Sequence, residues 1–199
     1  MAQRGTDFNA PDAHARPAMH LPADVEIRRL QRCGDSRGDL TEVFRSSWGL
    51  GVEPVQWNVV RSHPGTLRGV HVHWRHSDYL LAMAGPLWLA LKDIRPLSPT
   101  RGLACELSLH GDDELAVVIP PGVAHGFYFA ETATTLYGVD AYWDESDELG
   151  CAWNDPGLGF SWTPVTGPPE LSPRDREAGG LDEMARVWRR RAGAQAAHA

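Results

Sequence analysis

Ten short segments rich in β-branched, aromatic and other apolar residues follow one another through the middle of the chain. Stretches such as SHPG, PLSPTRG, HGDD and PPGVA separate them, and these have the composition of turns. No long helical pattern lies between the segments, which favours antiparallel pairing in a sandwich or barrel. The sequence therefore predicts an all-β fold. The segments are VEIRRL, LTEVFR, VQWNVVRS, LRGVHVHW, YLLAMAG, LWLALKDI, ACELSLH, LAVVIPP, HGFYFAE and TTLYGVDAYW.

The chain of 199 residues divides into three parts. Residues 1–23 are rich in Ala, Pro, Asp and His without any period, and they are predicted to form a flexible N-terminal arm. Residues 24–178 contain the strands and have the length of one domain. Residues 179–199 are predicted to form a short C-terminal helix and tail, because LDEMARVWRRR brings its apolar residues to one helical face.

Composition limits the partners and the setting of the protein. The net charge is −7 and no basic stripe is present, which argues against nucleic acid as a partner. No apolar run is long enough to cross a bilayer, so no membrane partner is expected. The N-terminus lacks the apolar region of a secretory signal, and the three cysteines are odd in number and far apart. We therefore expect reduced thiols in a cytoplasmic protein.

Histidines are concentrated in two strand–turn modules, GTLRGVHVHWRHSDYLLAMAG at residues 65–85 and IPPGVAHGFYF at residues 119–129. Residues two apart on a strand point to the same face, so His71 and His73 share a face. An acidic residue that begins the next strand and a histidine from a distant hairpin could join them. Three imidazoles and a carboxylate suit a divalent transition metal and leave positions open for substrate. The four candidate ligands are His71, His73, Asp78 and His125.

The two modules resemble the two sequence motifs of the cupin superfamily. The first module has the spacing of glycine, His-x-His, acidic residue and glycine, and the second has Pro-x-Gly-x-x-His. His76 falls outside this spacing and is interpreted as a loop residue. The resemblance implies a double-stranded β-helix, or jelly roll, followed by the short C-terminal helix. The matching positions are Gly65, His71, His73, Asp78, Gly85, Pro120, Gly122 and His125.

A closer resemblance extends from about residue 25 to residue 175. It rests on DSRGDLTEVF, VQWNVVRS, LRGVH, DIRPLSPTRG, LSLHGDDELAVVIPPGVAHGF, TLYGVDAYW, WNDPGLGFSW and PELSPRD, in this order. These segments resemble the dTDP-4-dehydrorhamnose 3,5-epimerase family. The resemblance implies an isomerase of deoxysugar biosynthesis and a homodimer that exchanges an N-terminal strand. It also implies epimerisation at C3 and/or C5 of a dTDP-linked 4-keto-6-deoxy sugar.

The resemblance assigns three catalytic roles. His71, the histidine of RGVH, would be the base that removes a proton beside the sugar ketone. Asp175, in LSPRD, would orient this base, because a carboxylate on one imidazole nitrogen fixes the tautomer and raises basicity at the other. Tyr137, in TLYGVDAYW, would return a proton on the opposite face.

Nine further positions are predicted by the same resemblance to bind the nucleotide sugar. Those expected at the diphosphate or ribose are Arg37, Gln56, Asn58 and Arg68. Those expected at the base are Glu42 and Trp143, the latter by stacking. The remaining expected contacts are His125, Glu148 and Arg174.

The chain departs from the family pattern at two positions beside the base. The family has a lysine where this chain has Asp78, and a glutamine where it has His73. An ammonium group near the ketone stabilises an enolate, whereas a carboxylate repels it. The replacements also restore the metal-cupin pattern. Two interpretations therefore stay open, an acid–base epimerase without a cofactor and a metal-dependent cupin enzyme.

We favour the cofactor-free interpretation, because Asp175 and Tyr137 are both present and a ligating His71 could not remain the free base. In that case Asp78 should turn to solvent or pair with Arg75 or His76. A sugar-nucleotide 3,4-ketoisomerase and an inactive sugar-nucleotide binder are further alternatives. The sequence does not distinguish which carbon, sugar or nucleotide is used.

Overall fold

The computed structural model describes residues 20–196, which form twelve strands and two helices. Residues 1–19 of the predicted arm lie outside the described part. The strands are β1 (Glu26–Arg29), β2 (Arg32–Asp35), β3 (Gly38–Thr41), β4 (Gln56–Ser62), β5 (Thr66–His73), β6 (Asp78–Ala84), β7 (Pro86–Asp93), β8 (Ala104–His110), β9 (Leu115–Ile119), β10 (Val123–Phe129), β11 (Ala133–Val139) and β12 (Glu148–Gly150). The helices are α1 (Pro173–Arg176) and α2 (Leu181–Ala196).

The strands form two five-stranded sheets and one two-stranded hairpin. The first sheet has the order β1-β9-β6-β11-β4 and the second has the order β12-β5-β10-β7-β8, while β2 pairs with β3. Neighbouring strands are antiparallel throughout these sheets. The predicted all-β jelly roll is therefore confirmed.

Side chains alternate between the two faces of each strand, and the buried apolar ones form three clusters. In β6, Leu80 and Ala82 face the core between the two sheets, whereas Tyr79 and Leu81 pack on the outer side of the first sheet. In β5, Val70 and Val72 face outward beneath the C-terminal segment. Because successive residues of a strand point to opposite faces, the side chains of His71 and His73 turn inward.

Helix α2 covers the outer face of the second sheet. One face of the helix buries apolar side chains at the spacing of an amphipathic helix, and these are Leu181, Met184, Ala185 and Trp188. The indole Nε1 of Trp188 donates to the backbone carbonyl of His73 over 2.9 Å. The helix begins at Leu181, as the sequence indicates, and continues to Ala196, beyond the LDEMARVWRRR segment.

Three local features differ from the expected pattern. The segment LTEVFR contributes to a strand only up to Thr41, and a strand that was not predicted, β2, pairs with it across the turn in DSRGD. Strand β12 is three residues long and was not predicted. The backbone N–H of Ala23, in the described end of the arm, donates to Thr100 Oγ1 over 2.7 Å. Within residues 20–196, neither helix has the length and apolar composition needed to cross a membrane.

Candidate active site

A cavity of about 540 Å³ lies between the two sheets. Strands β4, β6 and β11 line it from the first sheet, and β5, β10 and β12 line it from the second. The register places His71 of β5 directly opposite His125 of β10, and His73 faces the same side. The polar lining includes Arg68, His71, His73, His76, Asp78, His125, Tyr137, Trp143, Glu148, Arg174 and Asp175.

His71 is held between two carboxylates. Its Nε2 lies 2.6 Å from Asp175 Oδ1, and its Nδ1 lies 2.8 Å from Glu148 Oε1. Asp175 is placed by helix α1, where the Ser172 hydroxyl accepts from the Asp175 backbone N–H over 3.1 Å. Glu148 also accepts from Arg174 over 2.7 Å. The structure therefore joins the predicted base to its predicted carboxylate across 104 residues of sequence.

The two carboxylates favour the protonated form of His71. Burial lowers the pKa of His71, but hydrogen bonds and charges from Asp175 and Glu148 outweigh it, and the pKa is raised. Burial raises the pKa of Glu148, but His71 and Arg174 together bring it far below its usual range. The pKa of Asp175 is lowered as well, because the hydrogen bond and charge of His71 exceed the effect of its burial. The two carboxylates thus stabilise a positive charge on the imidazole between them.

A second polar cluster lines the same cavity and contains His73, His76, Asp78 and His125, all buried. Asp78 Oδ2 lies 3.6 Å from Nε2 of both His73 and His125. Asp78 Oδ1 lies 3.9 Å from Nε2 of His76. The rings of His73 and His76 stack with centroids 3.9 Å apart. One carboxylate is therefore surrounded by three imidazoles.

Burial dominates the protonation of this cluster. It raises the pKa of Asp78 to about 7 and, with the charges of neighbouring histidines, lowers the pKa of His73 well below its usual value. It also lowers the pKa of His125 to about 4. His76 differs, since its hydrogen bond to Asp147 outweighs burial and raises its pKa. At neutral pH His73 and His125 are therefore uncharged imidazoles.

Tyr137 lines the cavity from β11 of the first sheet, so it stands on the wall opposite His71 of the second sheet. Its register neighbours are Asn58 on β4 and Leu80 on β6. Burial is the largest cause of a raised pKa at Tyr137, followed by the negative charge of Asp78. The phenol is therefore a neutral proton donor at physiological pH.

Five of the nine predicted substrate-binding residues line the cavity, and these are Arg68, His125, Trp143, Glu148 and Arg174. Glu148 contacts the predicted base directly, a relation that the sequence did not reveal. Trp143 lies at the exposed side of the site, and its Nε1 donates to Glu148 Oε2 over 3.2 Å.

The other four positions are not among the residues that line the cavity. Arg37 is exposed on the β2–β3 hairpin and pairs with Asp35 at 2.6 Å. Glu42 pairs with Arg45 just beyond this hairpin. Gln56 accepts from the backbone N–H of Trp143 over 3.0 Å and donates to Asn58 over 3.1 Å, so both lie beside the site on β4.

Two expectations about the second cluster change. Asp78 does not turn to solvent, being 7% exposed, and Arg75 pairs instead with Asp144 at 2.7 Å. The third expected possibility, a pairing with His76, is the one found, with Asp78 Oδ1 3.9 Å from His76 Nε2. His76 does lie in a loop, but its side chain is only 3% exposed and points into the cavity. Its spacing gave no sign of this, because a loop residue has no strand periodicity to assign its face. Of the four predicted metal ligands, His71 has both nitrogens occupied by carboxylates.

The fold and its cavity define the cupin class of jelly-roll enzymes, here with side chains suited to proton transfer. A sequence model of the family described as dTDP-4-dehydrorhamnose 3,5-epimerase matches residues 20–183. The chain belongs to this family, and it is thereby an isomerase-class protein.

Relatives and solved structures agree with this membership. The chain is 36% identical over 162 residues to the Pseudomonas aeruginosa dTDP-4-dehydrorhamnose 3,5-epimerase, covering 77% of this chain and 89% of that protein. It is 32% identical over 159 residues to the Neisseria gonorrhoeae enzyme, covering 76% of this chain but only 48% of that longer protein. The fold is similar, with a TM-score of 0.76 and 30% identity, to a Legionella pneumophila dTDP-6-deoxy-D-glucose-3,5-epimerase solved with dTDP-4-keto-L-rhamnose. That match covers 83% of this chain and 92% of the other.

Proposed function

We propose that the protein epimerises C3 and/or C5 of a dTDP-linked 4-keto-6-deoxy sugar, with His71 as base, Asp175 as its orienting carboxylate and Tyr137 as acid. The observation that carries this proposal is the His71–Asp175 contact of 2.6 Å in the same cavity as Tyr137. The family membership and the similarity to a structure that holds dTDP-4-keto-L-rhamnose support the class of substrate.

The two walls of the cavity explain how a centre can be inverted. A C–H bond beside a ketone becomes acidic when the enolate is stabilised and a base is positioned. His71 on the second sheet removes the proton from one face of the sugar, and Tyr137 on the first sheet supplies a proton to the other face. Inversion follows because removal and return occur on opposite faces.

Substrate binding has to change the surroundings of His71. Glu148 Oε1 lies beside Nδ1 and Asp175 Oδ1 lies beside Nε2, so both ring nitrogens face a carboxylate. The sugar must displace Glu148, which Arg174 can then retain through its 2.7 Å contact. Once deprotonated, His71 is a stronger base than a free imidazole because Asp175 raises its pKa.

The nucleotide end of the substrate would lie at the open side of the cavity. Arg68 and Arg174 offer cationic groups there for a diphosphate, and Trp143, which is 55% exposed, offers an aromatic face for the base.

A cytoplasmic location is part of the proposal, and Cys33 and Cys105 are free thiols, as expected in a reducing compartment.

A homodimer would complete this site. The side chain of Arg37 is 87% exposed, and apolar residues of strand β4 are also exposed, with Trp57 at 40% and Val59 at 62%. β4 is an edge strand of the first sheet, where a second protomer can cover these residues. In such a dimer, the β2–β3 hairpin of one protomer would bring Arg37 and Glu42 to the cavity of the other protomer. Neither residue lines the cavity of its own chain.

Solvent isotope exchange tests the proposed chemistry. The enzyme, incubated with a dTDP-4-keto-6-deoxy sugar in deuterium oxide, should incorporate deuterium at carbon beside the ketone, as followed by proton NMR. His71→Ala should abolish exchange, and Tyr137→Phe should retain some exchange but lose net inversion, because proton removal needs only the base. His63→Ala, which changes an exposed histidine outside the cavity, is the matched control and should behave as wild type.

The two alternative functions, a 3,4-ketoisomerase and an inactive binder, predict different results. A 3,4-ketoisomerase would move the carbonyl from C4 to C3, which changes the carbon spectrum of the product. An inactive binder would bind the nucleotide sugar, as seen by calorimetry, without any exchange. Either result would remove the epimerase proposal.

A further inference from the structure

Two buried polar atoms in the cavity lack a hydrogen-bond partner among the described residues. These atoms are Asp78 Oδ2 and His73 Nδ1, and both belong to side chains that are less than a tenth exposed. Leaving a buried polar atom unpaired destabilises a protein, because the atom loses its hydrogen bonds to water without gaining others. A carboxylate oxygen without a donor, among three imidazoles, therefore indicates a group that the protein atoms alone do not supply.

The spacing of the cluster fits coordination better than hydrogen bonding. The distances of 3.6 Å from Asp78 Oδ2 to His73 and His125, and of 3.9 Å from Asp78 Oδ1 to His76, exceed those of good hydrogen bonds. Ligands about 2.1 Å from a tetrahedral ion stand roughly 3.4 Å from one another. Donor atoms of His73, His76 and Asp78 all lie within 4.8 Å of one another, so a small shift encloses an ion.

Neighbouring groups already orient two of the imidazoles. Nδ1 of His76 lies 2.5 Å from Oδ2 of Asp147, and Nδ1 of His125 donates to the carbonyl of Val123 over 3.1 Å. These contacts place the hydrogen on Nδ1 and leave the lone pair of Nε2 directed at Asp78. A histidine that binds a metal usually donates its other N–H to a carboxylate or a backbone carbonyl in this way. Asp147 is itself fixed, since it accepts from the backbone N–H of Trp74 over 3.1 Å.

We propose that His73, His76 and Asp78, with His125 as fourth ligand, bind one divalent transition metal ion. Three imidazoles and one carboxylate suit zinc and its neighbours rather than magnesium or calcium. This set differs from the one the sequence suggested, because His76 takes the place of His71. His71 is therefore not a metal ligand in this set. The same protein can then hold a metal ion and use His71 as the base.

The site goes beyond the proposed function, since neither the family relationship nor the base–acid pair requires a metal. A bound divalent cation would supply Lewis acidity in the cavity where the family lysine is replaced by Asp78. The chain's own contribution would be to hold the ion between the two walls, with Asp78 from the first sheet and His73 and His125 from the second, while leaving both His71 and Tyr137 outside the ligand set.

Metal content and binding test the site directly, without reference to activity. Tag-free protein, stripped with chelator, is titrated with Zn²⁺ by calorimetry, and with Co²⁺ while visible absorption is recorded. Wild type should bind one equivalent, show the absorption of a low-symmetry cobalt site, and melt at a higher temperature with zinc than with EDTA. Asp78→Asn and His76→Asn should each weaken binding by at least tenfold, whereas the exposed-site control His63→Asn should not.

Asp78→Asn has nearly the shape of the native side chain, and its melting curve in EDTA shows whether it folds. Zinc binding by a folded Asp78→Asn protein with the affinity of the wild type would overturn the assignment. So would wild-type protein that binds zinc no better than a His73→Asn/Asp78→Asn double variant, because that result means binding at the surface only. Loss of metal in His71→Asn, with full binding in His76→Asn, would restore the ligand set expected from the sequence.

Discussion

At the scale of single residues, Asp175 is the group on which the proposed base depends. It is buried, and its Oδ1 contacts His71 Nε2 at 2.6 Å. Asp175→Asn keeps the shape but removes the charge that fixes the tautomer and raises basicity. We expect kcat to fall by about 10²- to 10⁴-fold while KM changes little. Steady-state kinetics measure both, and an unchanged kcat would exclude the dyad from the mechanism.

The residues of the site were predictable where a motif fixes them. RGVH and LSPRD identify His71 and Asp175, and the structure joins them although 104 residues separate them. His76 and the carboxylate–imidazole contact of Glu148 were not predictable, because both depend on how loops close over strand ends. A loop residue carries no periodicity that states which way its side chain turns.

At the scale of elements, Asp93 fixes the connection between β7 and β8. Its buried carboxylate accepts from Ser98 Oγ and Thr100 Oγ1, each at 2.6 Å, and pairs with Arg95 at 2.9 Å. Burial raises the pKa of Asp93, but the hydrogen bonds from Arg95, Ser98 and Thr100 outweigh burial and lower the pKa to about 2. The turn is therefore stabilised by a charged carboxylate.

Because the folded pKa of Asp93 lies below its unfolded value of 3.8, its contribution is present above pH 4 and disappears as the pH falls through about 2. We expect Asp93→Asn to cost roughly 2 kcal/mol of unfolding free energy at pH 7 and about half of that at pH 3. Urea unfolding at both values measures the difference. Asp112→Asn, at a carboxylate that is 98% exposed, is the control and should change little. An equal loss at both values of pH would show that the charge is not responsible.

Most strands were predictable because their two-residue alternation is strong. Tyr79 and Leu81 face one apolar cluster and Leu80 and Ala82 face another, as a strand with two covered faces requires. Strands β2 and β12 were missed for the opposite reason. The hairpin is exposed along nearly its whole length, and β12 has three residues, so neither has an apolar pattern to reveal it.

At the scale of the whole molecule, the exposed face of β4 is where the proposed dimer should form. Val59→Asp places a charge on this face and should convert a dimer to a monomer, because an unpaired charge is costly inside an interface. Light scattering after size exclusion measures the mass. Leu97→Asp is the matched control, since Leu97 is 95% exposed in a loop of the other sheet. If the Val59→Asp protein has the same assembly mass as the wild-type dimer, the interface does not include this face of β4.

The same dimer makes a prediction about activity. If Arg37 acts in the partner's cavity, Arg37→Ala and His71→Ala proteins should each be inactive or nearly so. A mixture unfolded and refolded together should regain activity, because a mixed dimer contains one site with both native residues. No recovery in a mixture of proven mixed dimers would show that Arg37 does not act across the interface.

The long separation between His71 and Asp175 has a consequence for the life of the newly made chain. Both sheets are complete once Gly150 has left the ribosome, yet Asp175, the carboxylate proposed to orient the base, belongs to a segment made after them. Domains acquire structure as they emerge during synthesis. A nascent chain can thus pair all of its strands before Asp175 is made, and under the proposed mechanism it becomes active only when the segment with Asp175 has completed the lining of the cavity.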